Sequence, residues 1–265
     1  MHDWLSSNGT ALRLAAFFGT LALMLALERL APRRNQSPQR RLRWPANFGL
    51  VLIDSLFLRL LLPVAAYGMA LLAQQRSWGL LNQIALPPWL SVVLAWLLLD
   101  CAIYWQHRAM HAVPLLWRLH RVHHTDVEFD TTTALRFHPA EILLSMLWKM
   151  ALVIALGAPP LAVLLFEVAL NAAALFNHAN VRLPGDRILR LFVVTPDFHR
   201  VHHSVHRIET DSNYGNVLAV WDGLFLSYTP QPREGHDAMR IGLPSWRDQK
   251  QQALLSLLLH PFRHG

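Results

Sequence analysis

The pentapeptide His-Arg-Val-His-His occurs twice in this chain, at residues 120–124 and 199–203. A further pair with the spacing His-x-x-x-His lies shortly before the first copy. Histidine offers a neutral nitrogen ligand near pH 7, and residues four apart share one face of a helix. Three such clusters can therefore hold two transition-metal ions. The eight candidate ligands are His107, His111, His120, His123, His124, His199, His202 and His203.

The elements that must position these histidines are predominantly apolar. Of the 265 residues, 53% are hydrophobic and 15% are charged, whereas soluble domains carry about 25% charged residues. This balance favours an integral membrane protein. The net charge is +7, but the arginines crowd into one segment between apolar runs, as in a cytoplasmic membrane loop, so we expect no nucleic-acid partner. These arginines are Arg33, Arg34, Arg40, Arg41 and Arg43.

The single cysteine, Cys101, excludes intramolecular disulfides and thiolate-rich zinc sites. The amino terminus lacks a short apolar run followed by a small-residue cleavage site, so we expect the first apolar run to be retained as an anchor.

Four apolar stretches approach the roughly 20 residues needed to cross a bilayer. They cover residues 10–30 and 48–73, a run that begins at Pro87-Pro88 and continues toward Trp105, and residues 140–175. The last is interrupted by Gly157-Ala158-Pro159-Pro160, which predicts two helices folded into a hairpin. We therefore predict an all-α integral membrane fold, with four to five transmembrane or re-entrant helices and a histidine-rich helical cap.

The boundaries expected from these runs are anchor helices at residues 1–93, a catalytic domain at 94–230 and a polar tail at 231–265. Within the tail, residues 251–262 are typical of a short amphipathic helix resting on the membrane surface. If the arginine-rich segment is cytoplasmic, alternation of the spans brings all three histidine clusters to that same face. The expected location is a bacterial inner membrane, with the site on the cytoplasmic side.

The ordered histidine clusters resemble those of the fatty acid hydroxylase/sterol desaturase superfamily, and the resemblance covers residues 94–230. Leu116-Trp117 and Asn213-Tyr214-Gly215 support it, whereas Phe225-Leu226-Ser227-Tyr228 departs from the Phe-Gly-Thr-Tyr of relatives. The remaining supporting motifs are Arg136-Phe137-His138-Pro139, Asn177-His178 and Trp221-Asp222. The resemblance implies that the eight histidines hold two iron ions and that His178 is a further histidine near the metals.

The resemblance also implies an activity, the O2-dependent hydroxylation or desaturation of a C–H bond in a membrane lipid such as a sterol-like or fatty acyl substrate. Zinc could replace iron in purified samples, because on affinity alone it outcompetes ferrous iron. No Gly-rich dinucleotide fingerprint, haem-attachment motif or Cys-rich iron–sulfur pattern occurs in the sequence. Electrons are therefore expected from a separate donor protein of the ferredoxin or cytochrome type. We expect no catalytic side chain beyond the metal ligands.

Polar residues near the clusters in sequence are candidates for holding the ligand rings, because a ligating imidazole needs a partner for its second nitrogen. Glu167 and Asn171 lie within an apolar run and are candidates for the substrate channel, with helix-to-helix hydrogen bonding as the alternative. The candidates for contacting the ligands are His138, His206, Asp100, Asp126, Glu141, Asp197, Asp211 and Asp222.

Two other classes of function remain open. A membrane metal transporter or metal-binding protein would place its site at mid-membrane, whereas these clusters lie beyond the predicted helix ends. A zinc-dependent intramembrane hydrolase is disfavoured because the sequence contains no His-Glu-x-x-His. The motifs leave the substrate, the choice between hydroxylation and desaturation, the electron donor and the oligomeric state undecided.

Overall fold

The computed structural model describes residues 2–35 and 40–263, and within these ranges the chain is helical, with isolated β-bridges and no β-strand. The long helices are α1 (His2–Leu30), α2 (Arg40–Leu61), α3 (Ala66–Gln75), α4 (Pro88–Ala112), α5 (Pro114–His124), α6 (Pro139–Leu156) and α7 (Pro160–Asn177). Shorter helices follow, namely α8 (Asp186–Leu189), α9 (Pro196–His202), α10 (Arg207–Thr210), α11 (Val220–Leu224), α12 (Gly235–Ala238) and α13 (Leu254–Leu259). Short 3₁₀ turns lie at Leu80–Asn82, Thr131–Leu135, Gln249–Gln252 and His260–Phe262.

Five segments of the described chain are long and apolar enough to cross a membrane. Large apolar side chains such as Phe18, Leu56 and Leu60 are exposed on their outer faces, as expected of surfaces that meet lipid. The prediction of an all-helical integral membrane fold is therefore confirmed. The segments are Asn8–Leu30, Arg40–Asn82, Pro88–Ala112, Pro139–Leu156 and Pro160–Asn177.

The second apolar stretch differs from the expectation of one continuous helix over residues 48–73. Helix α2 ends at Leu61, and α3 begins at Ala66. Pro63 lies in the gap, and proline both lacks an N–H donor and disfavours helical geometry in the residue before it. A proline in the middle of an apolar run thus divided this span.

The hairpin formed by α6 and α7 is present as predicted. Gly157 ends α6 in the left-handed region, with φ of 62°, and a Cβ there would lie 2.5 Å from the carbonyl oxygen of Trp78. Gly79 approaches the same turn closely, so the loop between α3 and α4 packs against the tip of the hairpin. His138 and His178 lie at the opposite end, at the N-cap of α6 and the C-cap of α7.

The apolar core of the membrane region lies between α3, α4, α6 and α7, and α1 packs against α7. Buried Leu99, Val153, Val163 and Phe166 belong to this core. It fixes the relative positions of the carboxyl ends of α4 and α7 and the amino end of α6. These ends carry the first histidine pair, His178 and Glu141, so packing in the membrane region positions the side chains of the cap.

The carboxyl-terminal segment is broken into a 3₁₀ turn, α13 and a second 3₁₀ turn, where one amphipathic helix over residues 251–262 was expected. Leu254 and Leu257 pack against Ala46 and Val122, whereas Leu255 is exposed. The segment therefore covers the protein with one apolar face and turns the other outward. Its contact with a membrane surface stays a prediction.

Candidate metal centre

The structure gathers nine buried histidines into two adjacent groups. Within each group, one ligand atom from every residue lies within 4.8 Å of those of the others. None of the nine is more than 8% exposed. The first group consists of His107, His111, His120, His124 and His202, and the second consists of His123, His178, His199 and His203.

Each copy of the repeated pentapeptide contributes to both groups. His120 and His124, one turn apart on α5, face the first group, whereas His123 belongs to the second. In the other copy the assignment is reversed, because His202 joins the first group and the pair one turn apart joins the second. The side chains of adjacent residues on a helix point about 100° apart, so neighbouring histidines reach different groups.

Several ring nitrogens face each other at distances suited to a shared metal ion. His107 Nε2 lies 3.1 Å from His120 Nε2, and His178 Nε2 lies 3.1 Å from His123 Nε2 and 3.2 Å from His199 Nε2. Two nitrogens bound about 2.1 Å from one ion are separated by about 3 to 4.2 Å. The facing pairs fall within that range.

The opposite ring nitrogen, Nδ1, is held by the protein in six of the nine histidines. Carboxylates accept from two of them: Glu141 from His120 at 2.6 Å and Asp211 from His111 at 3.2 Å. These contacts direct each Nε2 toward the group. Main-chain carbonyls face the other four, in the pairs His107–Tyr214, His123–Arg136, His178–Ala174 and His202–Ser212.

The histidines of the cap are held in the neutral form that a metal requires. Burial lowers the pKa of His178 to about 4 and that of His202 to about 3. Burial also lowers the pKa of His123, His199 and His203 well below the ordinary value. Their lone pairs are thus available at neutral pH without removal of a proton.

The buried nitrogens left without a hydrogen bond show that these residues fit a metal. His111 Nε2, His124 Nε2 and His202 Nε2 have no partner among the described residues, and neither does either ring nitrogen of His203. A buried polar atom without a partner costs about 1 to 3 kcal/mol. Imidazole nitrogens suit iron, zinc, copper or nickel, and ions bound to both groups would satisfy the three Nε2 atoms and one ring nitrogen of His203.

Two carboxylates predicted to contact the ligand rings instead accept hydrogen bonds from the loop that follows the third cluster. Asp222 accepts from the N–H groups of Tyr214 and Gly215 at 2.8 and 2.7 Å. Asp100 accepts from Leu218 N–H and from the indole of Trp221. They position the Tyr214 carbonyl against His107 and touch no ligand ring. Burial raises the pKa of Asp222 to about 6.

Buried arginines in the cap have structural roles that sequence reasoning missed. Arg43 Nη2 donates to Asp126 at 2.7 Å, and Arg43 Nη1 donates to Asp130 at 3.0 Å. Arg136 donates to Thr125 and Gln252, while its own carbonyl faces His123. The Arg43 guanidinium lowers the pKa of Asp126 to about 2. Asp126 therefore braces the loop after the second cluster rather than a ligand ring.

The interpretation of the amino-terminal arginines as a simple membrane loop is corrected accordingly. Arg33 pairs with Asp197 and Asp237, and Arg34 donates to the carbonyl of Met239. Arg43 is buried at 1% exposure. Because these side chains have partners in the cap, their positions are explained without reference to the side of the membrane. The cytoplasmic orientation stays a prediction.

Three other predicted residues lie away from the ligand rings. His138 caps α6 by accepting from Ala140 N–H, and its Nε2 faces the Leu258 carbonyl. His206 pairs with Glu234 on the surface of the cap. Glu167 does not line the cavity described below, because Arg13 and Lys149 hold its carboxylate at 2.8 and 2.9 Å.

A cavity of about 310 Å³ extends from both histidine groups into the membrane region. Histidines of the first and second groups form part of its wall, and so does Asn171, whose role in a substrate channel stays a prediction. Ser55 of α2 and Asn171 of α7 line the cavity and are exposed, so the cavity wall reaches the outer surface of the described helices. The remaining wall is mostly apolar, with Phe17, Leu58, Ile103 and Leu170 among its residues.

Buried imidazoles at one end of a bundle of membrane-length helices define an integral membrane protein with a candidate dinuclear metal centre. The sequence model of the fatty acid hydroxylase family matches residues 92–227, and the chain belongs to that family. The predicted superfamily is thereby confirmed. No solved structure matches this chain.

By name, the relatives of this chain include a lipid monooxygenase, a lipid hydroxylase and an aldehyde decarbonylase. Alkylglycerol monooxygenase of Xenopus tropicalis is 30% identical over 190 residues, which cover 70% of this chain and 41% of that protein. Ornithine lipid hydroxylase OlsE of Rhizobium tropici is 34% identical over 144 residues, covering 54% of this chain and 43% of that protein. Very-long-chain aldehyde decarbonylase GL1-11 of Oryza sativa subsp. indica is 32% identical over 156 residues, with coverage of 56% and 57%. The matches span less than two thirds of these relatives.

Proposed function

We propose that this chain oxidises a C–H bond of a membrane lipid with O2, using two iron ions held by the two histidine groups and electrons from a separate donor protein. The observation that carries the proposal is the cavity, whose wall includes histidines of both groups and exposed residues of two membrane-spanning helices. A lipid entering sideways from the bilayer would thus meet both groups directly.

Hydroxylation is preferred to desaturation within this proposal, because the relatives named above include a monooxygenase and a hydroxylase. In the balanced reaction, a C–H bond and O2 become a C–OH group and water, with two electrons and two protons supplied from outside. Bound iron would supply the capacity to activate O2, and the protein supplies position and a dry cavity.

The residues of this chain have identifiable tasks in that reaction. Glu141 and the Tyr214 carbonyl fix the rings of His120 and His107, so that their Nε2 atoms face each other. Phe137 stacks on the ring of His123, with the two ring centroids 4.4 Å apart, and holds that imidazole in its orientation. The apolar cavity wall excludes water and aligns an acyl or alkyl chain beside the histidines.

The electron donor is proposed to be a small ferredoxin or cytochrome that approaches the cap from outside the membrane. The net charge of +7 would attract an acidic partner at low ionic strength. Arg207 covers the indole of Trp117 at 4.7 Å, and the same indole lies 4.9 Å from the ring of His111. Trp117 thereby links the arginine-bearing surface to a predicted ligand.

The deciding experiment supplies purified, iron-reconstituted protein in lipid vesicles with ferredoxin, ferredoxin reductase, NADPH and ¹⁸O2. The expected result is a lipid that gains one ¹⁸O atom, detected by mass spectrometry and absent under nitrogen. Equal product formation without O2 would overturn the oxygenase function. Comparison of the lipids of a deletion strain with its parent then identifies the natural substrate.

A further inference from the structure

The cavity wall contains hydrogen-bond acceptors that no described residue satisfies. Asp54, on α2 within a membrane-spanning segment, lines the cavity and is 5% exposed. Its Oδ1 has no hydrogen-bond partner in the described chain. Gln106 of α4 also lines the cavity; its amide nitrogen donates to Ser145 at 2.6 Å, and its Oε1 is likewise unpartnered.

A carboxylate in this position is costly without a partner. An uncompensated polar atom in a protein interior costs about 1 to 3 kcal/mol, and a charge costs more. Ionisable residues inside membrane spans therefore face a partner, a cavity or a pathway. The described chain supplies no cation to Asp54, and the cavity is the route by which a donor can reach it.

We propose that Asp54 and Gln106 form a polar subsite that binds a hydrogen-bond-donating group, a hydroxyl or an ammonium, on the lipid in the cavity. This inference rests on the proposed function for the identity of the occupant as a substrate. Without a donor, a purely hydrocarbon lipid would leave both acceptors buried and unpaired, whereas an alcohol or amine satisfies them.

The subsite also determines which carbon of the lipid is exposed to the metal centre. Asp54 and the histidines of both groups belong to the wall of one cavity of about 310 Å³. A lipid anchored at Asp54 has its chain held at a fixed distance from the histidine groups. Asp54 and Gln106 are therefore specificity-determining residues, and they touch the substrate away from the reacting bond.

The test measures binding to the iron-loaded protein under nitrogen, in which no turnover occurs. Three probes share one chain length: hexadecan-1-ol, hexadecylammonium and 1-methoxyhexadecane, which lacks a donor. Binding is followed by native mass spectrometry in a non-ionic detergent. The alcohol and the ammonium should each bind about tenfold more tightly than the ether, as a hydrogen bond to a charged group implies.

Two variants and a control separate specific recognition from loss of folding. Asp54→Leu should lose most of the preference and keep only the part that Gln106 Oε1 supplies, whereas Asp54→Asn should keep its preference for the alcohol and lose that for the ammonium. Leu52→Ala is the matched control, since Leu52 lies two residues before Asp54 on α2, is exposed and does not line the cavity. Leu52→Ala should bind like the unaltered protein.

Equal binding of the three probes to the unaltered protein would overturn the inference, and so would an undiminished preference in Asp54→Leu. If Asp54→Leu does not fold, the change in ammonium affinity of Asp54→Asn decides the matter alone. Binding selectivity without any oxidation would contradict the proposed function and leave the subsite intact. Oxidation without binding selectivity would contradict the subsite and leave the proposed function intact.

Discussion

Glu141 accepts a hydrogen bond from Nδ1 of His120 at 2.6 Å, and His120 Nε2 in turn faces His107. The carboxylate thereby selects the tautomer of His120 that leaves Nε2 free for a metal. Glu141 comes from the first turn of α6, so a membrane helix sets the orientation of a ring in the cap.

Glu141→Gln should weaken metal binding by about 10- to 100-fold, because an amide is a poorer acceptor than a carboxylate and holds the ring less firmly. Metal affinity can be measured by competition with a chromophoric chelator. The control is Glu234→Gln, since Glu234 pairs with His206 away from both groups. Equal affinities in the Glu141 variant and the unaltered protein would contradict this role.

Replacing a ligand histidine should lower the metal content of the group to which that histidine belongs. Protein reconstituted anaerobically with ferrous iron should contain about two ions per chain, as expected of a paired site. His202→Ala should reduce occupancy of the first group and His123→Ala that of the second, and both should abolish turnover. His206→Ala is the control. Unchanged metal content in both ligand variants would refute the assignment.

Arg43→Met should destabilise the cap by about 3 to 5 kcal/mol, because it removes the cation hydrogen-bonded to Asp126 and Asp130 and leaves Asp126 only Arg136, at 3.8 Å. Thermal unfolding in detergent measures the loss. Arg41→Met, two residues earlier and exposed, should change the melting temperature little. Comparable losses in the two variants would show that the buried ion pairs are not responsible.

Acid should destabilise the carboxyl-terminal segment through His260. Burial lowers the pKa of His260 to about 3, and the ring packs on Trp246. The ordinary pKa of histidine is about 6.5. Below that pH the unfolded chain is protonated at His260 and the folded chain is not, so stability falls as the pH decreases from about 6.5 toward 3. The neighbouring positive charges of Arg121, Arg136 and Arg263 act in the same direction.

The measurement is the melting temperature of the metal-free protein between pH 7.5 and 5. His260→Phe should reduce the slope of this dependence by the share of one buried histidine, because the buried histidines of the two groups also have lowered pKa values and keep the rest. A slope identical to that of the unaltered protein in His260→Phe would rule out His260 as a source of the acid sensitivity.

Cysteine accessibility tests the orientation in the membrane after Cys101 is replaced by alanine. Single cysteines that replace Asn35 and Asp237 should be labelled from the same side of the membrane. Arg33, two residues from Asn35, pairs with both Asp237 and Asp197, so the two positions lie close together. A cysteine at Arg76, in the loop near the hairpin tip, should be labelled from the other. In intact cells an impermeant reagent should reach only the Arg76 position if the cap is cytoplasmic. Labelling of Asn35 from outside would reverse the orientation.

Features encoded locally were predictable from the sequence. The hairpin break at Gly157-Ala158-Pro159-Pro160 and the histidine spacings depend on residues that are neighbours in the chain. The split of each pentapeptide between two groups follows from the angle between adjacent helical residues, but it needs both copies positioned in space. Sequence reasoning therefore predicted that three clusters could hold two ions and did not assign individual histidines to either ion.

Pairings distant in sequence were not predictable in the same way. Arg43 and Asp126 are 83 residues apart, and Arg13 and Glu167 are 154 apart. In the sequence, Arg43 is one of five clustered arginines, and Glu167 was a candidate for the substrate channel, with helix-to-helix hydrogen bonding as the alternative. The cations that pair with Glu167, Arg13 and Lys149, lie on other helices. A buried partner from another helix leaves no periodic signal in the sequence.

Four of the ligand rings face main-chain carbonyls, those of Tyr214, Arg136, Ala174 and Ser212. A carbonyl is present whatever side chain the residue carries. Positions 174 and 212 can accordingly accept substitutions that keep the local backbone without losing the acceptor. Positions 141 and 211 lack this freedom, because their acceptors are side chains. Mutational tolerance around the centre should thus be uneven, and a saturation library should recover far more variants at 174 and 212 than at 141.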